Sequence, residues 1–526
     1  MHRALAIPEI VRIILHCADH AILPPLARTC RAFCDPALDL LWEDKDGLRH
    51  LLRCMPDGLW EPVAQDDDDE DISDEQLYLT RPVVPADWDR FLFYSRRVKT
   101  FTFDVDSEIA YCSSSVDILR ISFPGPVLFP NLRTLLWLSG SCGTIRHIRL
   151  FLAPHLRKLV LDSLDSVADL SVLPTLVTQC PGLAEVDIAM PDRLLRFLGN
   201  LYTSVVSLHR LVTLSIPSID DSVLEHLSRM PTLTSLTLKR QNALSAPRTS
   251  SGESVFPTLR SLTITTRVAD VLPTIVPLLT EAPLESLNIQ LAACRGTATF
   301  VAWCKALASD CACGHNSLRH LYLREVAPTG VRISLPAVSP VVQGVHIRPL
   351  YSFKELKSVW LYPPRGFDLD DSAMDELARA WPRLALLDLG GDRASSSGSP
   401  SHITLSALLS FAQHCPRLSS LPLNTSSQAP TPALNHGTRR IQQGRLHTLG
   451  VQSCPCSDVY WVAKFLSSVF PALRAVRTDL DGRFLEGHLA LGVRRQNWKD
   501  VQKLLPLLRS VREEEQQWTE SSGRSG

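Results

Sequence analysis

One pattern recurs along most of this 526-residue chain and limits what it can fold into. A Leu is followed three and five positions later by further apolar residues, often with Pro two positions ahead of it. It is plain in Pro130-Asn-Leu132-Arg-Thr-Leu135-Leu-Trp137, Pro154-His-Leu156-Arg-Lys-Leu159-Val-Leu161 and Pro257-Thr-Leu259-Arg-Ser-Leu262-Thr-Ile264. Counted from Leu132, the gaps between successive anchors are 24, 27, 28, 22, 26, 25, 34, 38, 28, 34, 28 and 27. With a degenerate copy at Val98-Lys-Thr-Phe101-Thr-Phe103, the copies number about fourteen. Alternation at the third and fifth positions is the period of a strand with one apolar face. A single such strand cannot bury that face, whereas stacked neighbours share a continuous core.

Units of this length with an L-x-x-L-x-L core resemble leucine-rich repeats, which give one short strand and a return segment each. The Asn or Cys that the family places after the last Leu is mostly absent, so the array is irregular. The expected class is α/β: a solenoid of parallel strands on a concave face with helical or irregular returns, preceded by a small all-α module. The expected layout is a helical module at 1–45, a linker and N-terminal cap at 46–94, a solenoid of 13–14 repeats at 95–480, and a capping helix with a tail at 481–526. Trp498, Val501, Leu504, Leu505, Leu508 and Val511 are spaced for one face of that last helix.

The first forty-odd residues read as short helices. Pro8 and Glu9 suit a helix start, and Ile10, Ile13, Ile14 and Cys17 fall on one face. Pro24-Pro25 break the chain before stretches carrying Leu26, Cys30 and Phe33, then Leu38, Leu41 and Trp42. So small a module rarely builds a sufficient core of its own, which leaves apolar surface for docking. Ile7-Pro8-Glu9-Ile10, Leu26-Ala-Arg-Thr-Cys30-Arg-Ala-Phe33 and Leu41-Trp42 together resemble an F-box, with Ile7 and Thr29 departing from its usual Leu and Val. The resemblance implies docking of a Skp-type adaptor, and through it a cullin–RING ubiquitin ligase. The matched contact positions are Pro8, Ile10, Ile14, Leu26, Cys30, Phe33, Leu41 and Trp42. The plainer alternative is that these residues pack the helices onto the first repeats.

If the third and fifth positions point into the core, the second, fourth and sixth face the concave surface. That rule places His320, Tyr322 and Arg324, then Ser358, Trp360 and Tyr362, then Leu386, Asp388 and Gly390 on adjacent strands. Tyr322 should lie beside Trp360, and Arg324 beside Tyr362. An outward cluster of Trp, Tyr and Arg has the composition of a binding hot spot. The candidate target-binding residues are therefore His320, Tyr322, Arg324, Trp360, Tyr362 and Asp388. Cover by the neighbouring stretch 325–352 is the competing reading. A polar set of Lys158, Asp162, Lys239, Arg477 and Asp479 reads as scattered surface charge.

Other classes find less support. The 54 basic and 55 acidic residues give a formal charge of -1, which offers no general attraction to nucleic acid or anionic membrane. No apolar run is long enough to span a bilayer and no secretory leader is seen, so an intracellular protein of cytoplasm or nucleus is expected. The fourteen cysteines form no framework and read as reduced, small hydrophobes. Cys304, Cys311-Ala-Cys313-Gly-His315 and Cys454-Pro-Cys456 lack the paired spacing of structural zinc, so neither metal nor cofactor is expected. No phosphate-binding Gly loop, H-E-x-x-H or G-x-S-x-G elbow is present, and Gly390-Gly391 leads into a polar loop.

Eight acidic residues in 66–75 form a solvated stretch, with docking of a basic partner as its alternative. Longer segments at 242–255, 325–352, 391–402 and 424–444 read as insertions, and Gly344-Val-His-Ile347 as a degenerate strand. The function read from all this is a non-catalytic substrate receptor of an SCF-type ligase that presents a protein target. The rival is a stand-alone leucine-rich interaction scaffold or inhibitor.

Overall fold

The structure, a computed structural model, describes residues 7–62, 77–104, 113–138, 144–162, 164–197, 207–245, 255–292, 296–311, 314–325, 341–390, 402–423, 441–451, 456, 458–477 and 489–522. The acidic stretch 66–75, the insertion cores at 326–340, 391–401 and 424–440, and Cys313, Cys454 and Asp479 lie outside them. The chain forms two compact units, Met1–Thr237 and Leu238–Gly526.

The first unit opens with α1 (Pro8–His16), α2 (Leu23–Ala27) and α3 (Arg31–Glu43). Then come β1 (Asp44–Asp46), the antiparallel hairpin β2 (Trp60–Pro62) and β3 (Leu77–Leu79), and the repeat strands β4 (Thr100–Asp104), β5 (Thr134–Leu138), β6 (Lys158–Asp162), β7 (Glu185–Ile188) and β8 (Thr213–Ile216). β1 and β4–β8 pair in parallel, each with the next. β9 (Ser235–Gln241) runs through the boundary.

The second unit continues with β10 (Ser261–Thr266), β11 (Ser286–Leu291), β12 (His320–Glu325), β13 (Val342–Gln343), β14 (Ser358–Tyr362), β15 (Phe367–Asp368), β16 (Leu386–Leu389), β17 (Ser420–Leu423), β18 (Thr448–Val451) and β19 (Ala475–Arg477). Apart from the small ribbon β13–β15, these pair in parallel in chain order. Every anchor from Leu132 to Leu473 is buried, as is every residue three positions on. The array is therefore a leucine-rich, parallel α/β solenoid.

The recurrent Pro has a local task. In Cys180-Pro181, Trp381-Pro382, Cys415-Pro416 and Phe470-Pro471, the residue before Pro leaves helical geometry, with ψ of 61°, 70°, 72° and 76°. The Pro ring disfavours the α region for its predecessor, which favours the end of each of these return helices there, where the chain turns back into the sheet. These four stop residues are fully buried. Return helices also start on a shared device: Asp220, Asp370 and Asp458 each accept a hydrogen bond from the amide three residues on, at 2.8–2.9 Å.

Two expectations need correction. Gly344–Ile347 is a helical turn, not a strand. A Cβ on Gly344 would lie 2.8 Å from Cβ of Ala373, so the segment belongs to the return layer against the helix Asp371–Ala380. The linker expected from residue 46 is, at its start, another repeat. β1 pairs with β4 through Asp44↔Thr100 and Asp46↔Thr102, and Leu48, Leu51, Leu52, Met55 and Leu59 behind it are buried. This register places Trp42 two residues before the strand, where the other units have their Leu anchor.

The buried thiols Cys180, Cys304 and Cys415 are pushed up to about 12 by burial, so they stay protonated. Among the described residues no group of His, Cys, Asp or Glu is arranged for a metal, and no helix is long and apolar enough to cross a membrane.

Candidate functional site

Two surfaces, one on each unit, gather the residues singled out from the sequence. On the first unit, α1 has a broad apolar face. Val11 and Leu15 turn inward and join Leu23 and Ala37 in the module's small core, with Leu26, Phe33, Leu40 and Leu41 packed against it. Its outer part stays in solvent: Ile13 is 64% and Ile14 44% exposed, with Ile7 at 46% and Ile22 at 48% nearby in sequence. Pro8 is exposed too, and Ile10 and Cys30 are half-buried.

The eight expected contact positions thus divide. Pro8 and Ile14 are open, while Leu26, Phe33 and Leu41 are engaged with the module's own core. Trp42 is only 8% exposed, stacked on Tyr94 at 4.5 Å with the Lys45 ammonium over its ring. It anchors a repeat and is not available to a docking partner. Ile13 and Ile22 are open positions absent from the matched set. An apolar face on α1 that runs on past Val11 and Leu15 through Ile10 and Ile14, with Glu9, Arg12 and His16 gathered on the other side, was the signal for Ile13.

The module is also fastened to the repeats by charge. The Arg97 guanidinium bonds the carboxylates of Asp35, at 2.6 Å, and of Asp39. Lys99 bonds Glu43 at 3.1 Å, and the Lys99 amide donates to the Glu43 carbonyl. α3 therefore passes into β1 with its last turn already tied to the neighbouring strand.

On the second unit, β12, β14 and β16 bring the aromatic set together. Tyr322 lies opposite Trp360, Arg324 opposite Tyr362, and Trp360 opposite Asp388. The Tyr322 ring is 6.2 Å from Trp360 and 5.6 Å from Tyr362, and the Arg324 guanidinium sits 5.7 Å above Tyr362. Tyr362 leans across to the next strand and donates its hydroxyl to Asp388 at 2.7 Å. Burial and the Asp388 carboxylate both raise the Tyr362 phenol, which remains a hydrogen-bond donor at any ordinary pH.

Gly390 makes that lean possible: a Cβ there would lie 2.2 Å from the Tyr362 ring. His320 is exposed two residues back on the same strand face, its imidazole lowered by burial and by Lys357 and Arg319. Tyr322, Trp360 and Tyr362 are half-buried. Of the stretch expected as their cover, 341–352 lies in the return layer, and 326–340 is outside the described residues. The charged set does not gather: Lys158 pairs instead with Glu185 at 3.2 Å.

The cluster offers rings, a cation and a carboxylate held in fixed positions. It has no nucleophile with an adjacent base, and is suited to gripping a side chain of another polypeptide. Among solved structures, the complex of Rad7 and Elc1 in yeast contains a similar chain. It is 15% identical with a TM-score of 0.28, and the match covers 65% of this chain and 80% of that one. No family model and no curated protein matches the sequence. A likeness that distant bears on neither surface.

Proposed function

We propose that this protein is a non-catalytic substrate-recognition subunit of an SCF-type ubiquitin ligase. The helical module docks a Skp-type adaptor, and the repeat array holds a protein target near a ubiquitin-charged enzyme. Its chemistry is proximity, raising the effective concentration of target lysines at the ligase. The observation that carries the reading is the uncovered part of the apolar face of α1, where Ile13 and Ile14 stay exposed while Val11 and Leu15 fill the core. Contiguous aliphatic surface rimmed by polar groups marks a docking site for another chain. The aromatic cluster of β12, β14 and β16 supplies a hot spot for the target.

The test is capture of a purified Skp-type adaptor by the full chain. Leu26→Asp is a poor probe because Leu26 packs on the module core. Ile13→Asp with Ile14→Asp alters exposed groups alone, and should abolish capture at an unchanged melting temperature. Failure of the wild-type chain to retain the adaptor would remove the ligase reading and leave a stand-alone interaction scaffold.

A further inference from the structure

We infer that the unit Met1–Thr237 carries a second interaction surface, a cationic groove that takes an acidic polypeptide segment. It does not rest on the adaptor reading. The groove, of about 1210 Å³, lies between α3 and the turns that lead into the first repeat strands. Its repeat wall is a ladder. The Arg133 amide donates to the Lys99 carbonyl at 2.7 Å and the Arg157 amide to the Arg133 carbonyl at 2.8 Å, so these residues occupy successive rungs. Neighbouring rungs in a sheet stand about 4.8 Å apart. Arg96 and Arg210, from the flanking turns, line the same wall.

Arg133, Arg157 and Arg210 are exposed, and among the described residues no carboxylate lies within ion-pair distance of them. Arg96 rests on the Phe93 ring at 4.8 Å. The facing wall differs, because Asp35, Asp39 and Glu43 are already held by Arg97 and Lys99. The structural pairs that tie down α3 are thus complete, and the cations beyond them are surplus to the fold.

The chemistry selects the occupant. At about 1210 Å³ the groove exceeds the roughly 300–1,000 Å³ of small-molecule sites, which favours a polymer. A nucleic-acid strand is charged at every unit and would meet the Asp35, Asp39 and Glu43 carboxylates on the facing wall. It would also lack a stacking platform, since no Phe, Tyr or Trp lines the groove. An extended peptide turns alternate side chains to opposite sides. It can thus present Asp and Glu to the arginine ladder and neutral groups to the carboxylates.

The test is fluorescence anisotropy on the full chain with a labelled Glu-Ser repeat peptide of about a dozen residues, without adaptor. Binding is expected, weakening as salt rises from about 0.05 to 0.5 M. Arg133→Glu with Arg157→Glu should lower affinity roughly tenfold and gain binding to a Lys-Ser repeat peptide. Arg210→Glu alone provides a milder variant, and Lys464→Glu with Lys499→Glu, exposed cations of the other unit, should match wild type. The inference is overturned if wild type ignores the acidic peptide, or if the control pair loses binding as much as the groove variants do. It is equally overturned if a labelled single-stranded oligonucleotide binds more tightly than the peptide and is lost with the same arginines.

Discussion

At the scale of single residues, Gly390 decides the form of the aromatic cluster on β12, β14 and β16. Gly390→Ala places a methyl within the Tyr362 ring, so the ring must leave Asp388. Overpacking of this kind costs about 1–3 kcal/mol; urea unfolding should show a loss in that range. Trp360→Ala, by contrast, removes a half-buried ring from the sheet surface and should leave the melting curve near wild type while weakening co-precipitation of the target. Unchanged recovery of bound proteins with a normal melt would remove Trp360 from the site.

Asp87 makes a pH prediction. Two 2.8 Å hydrogen bonds from Arg81, with the Val84 amide, hold its carboxyl down to about 2. A carboxylate lowered by folding contributes fully above its unfolded value near about 4 and loses that contribution as pH falls toward about 2. Asp87→Asn should therefore melt below wild type at neutral pH. The gap should close between about pH 4 and 2, read as melting temperature against pH.

Among the elements, the repeat strands were legible because each writes its burial into side chains. The spacing of Leu132, Leu135 and Trp137 alone sets the buried face of β5, and the same register put Tyr322 beside Trp360. β1 was not legible. Its Asp-Lys-Asp carries no apolar face, and the strand exists through backbone pairing with β4 and through Trp42 in the anchor position. Gly344–Ile347 misled for the opposite reason: its Val-His-Ile alternates like a strand, yet close approach to Ala373 fixes a helical turn.

On α1 the periodicity found an apolar face but not which part of it would meet the core, because that face runs unbroken from Leu15 and Val11 through Ile14 and Ile10 to Ile13. The inner and outer parts of the face are separable by experiment. Leu15→Ala should destabilise by about 2–5 kcal/mol through a core cavity, whereas Ile13→Asp with Ile14→Asp should spare stability and lose adaptor capture. Equal destabilisation by both, measured by thermal melts, would mean that the outer part is covered within the chain itself.

For the molecule as a whole, an array of parallel strands is as sound as its ends. Stability in such arrays is close to a sum over units and their interfaces, so a terminal element protects everything stacked behind it. The helix Leu489–Ser522 serves the last repeat, burying Trp498, Val501 and Leu505, while Val511 farther along is exposed. Trp498→Ala should cost about 3–5 kcal/mol, visible as an early unfolding step of the C-terminal repeats in hydrogen exchange.

At the other end the same service falls to the helices themselves. α3 continues without a break into β1, and β1 occupies the otherwise open flank of β4. Bare strand flanks invite pairing with other chains. A fragment begun at residue 95, the natural choice for isolating the repeats, would strip that flank and tend to clump. The N-terminal helices are thus no removable cassette: cutting them away to isolate the repeats would spoil the repeats.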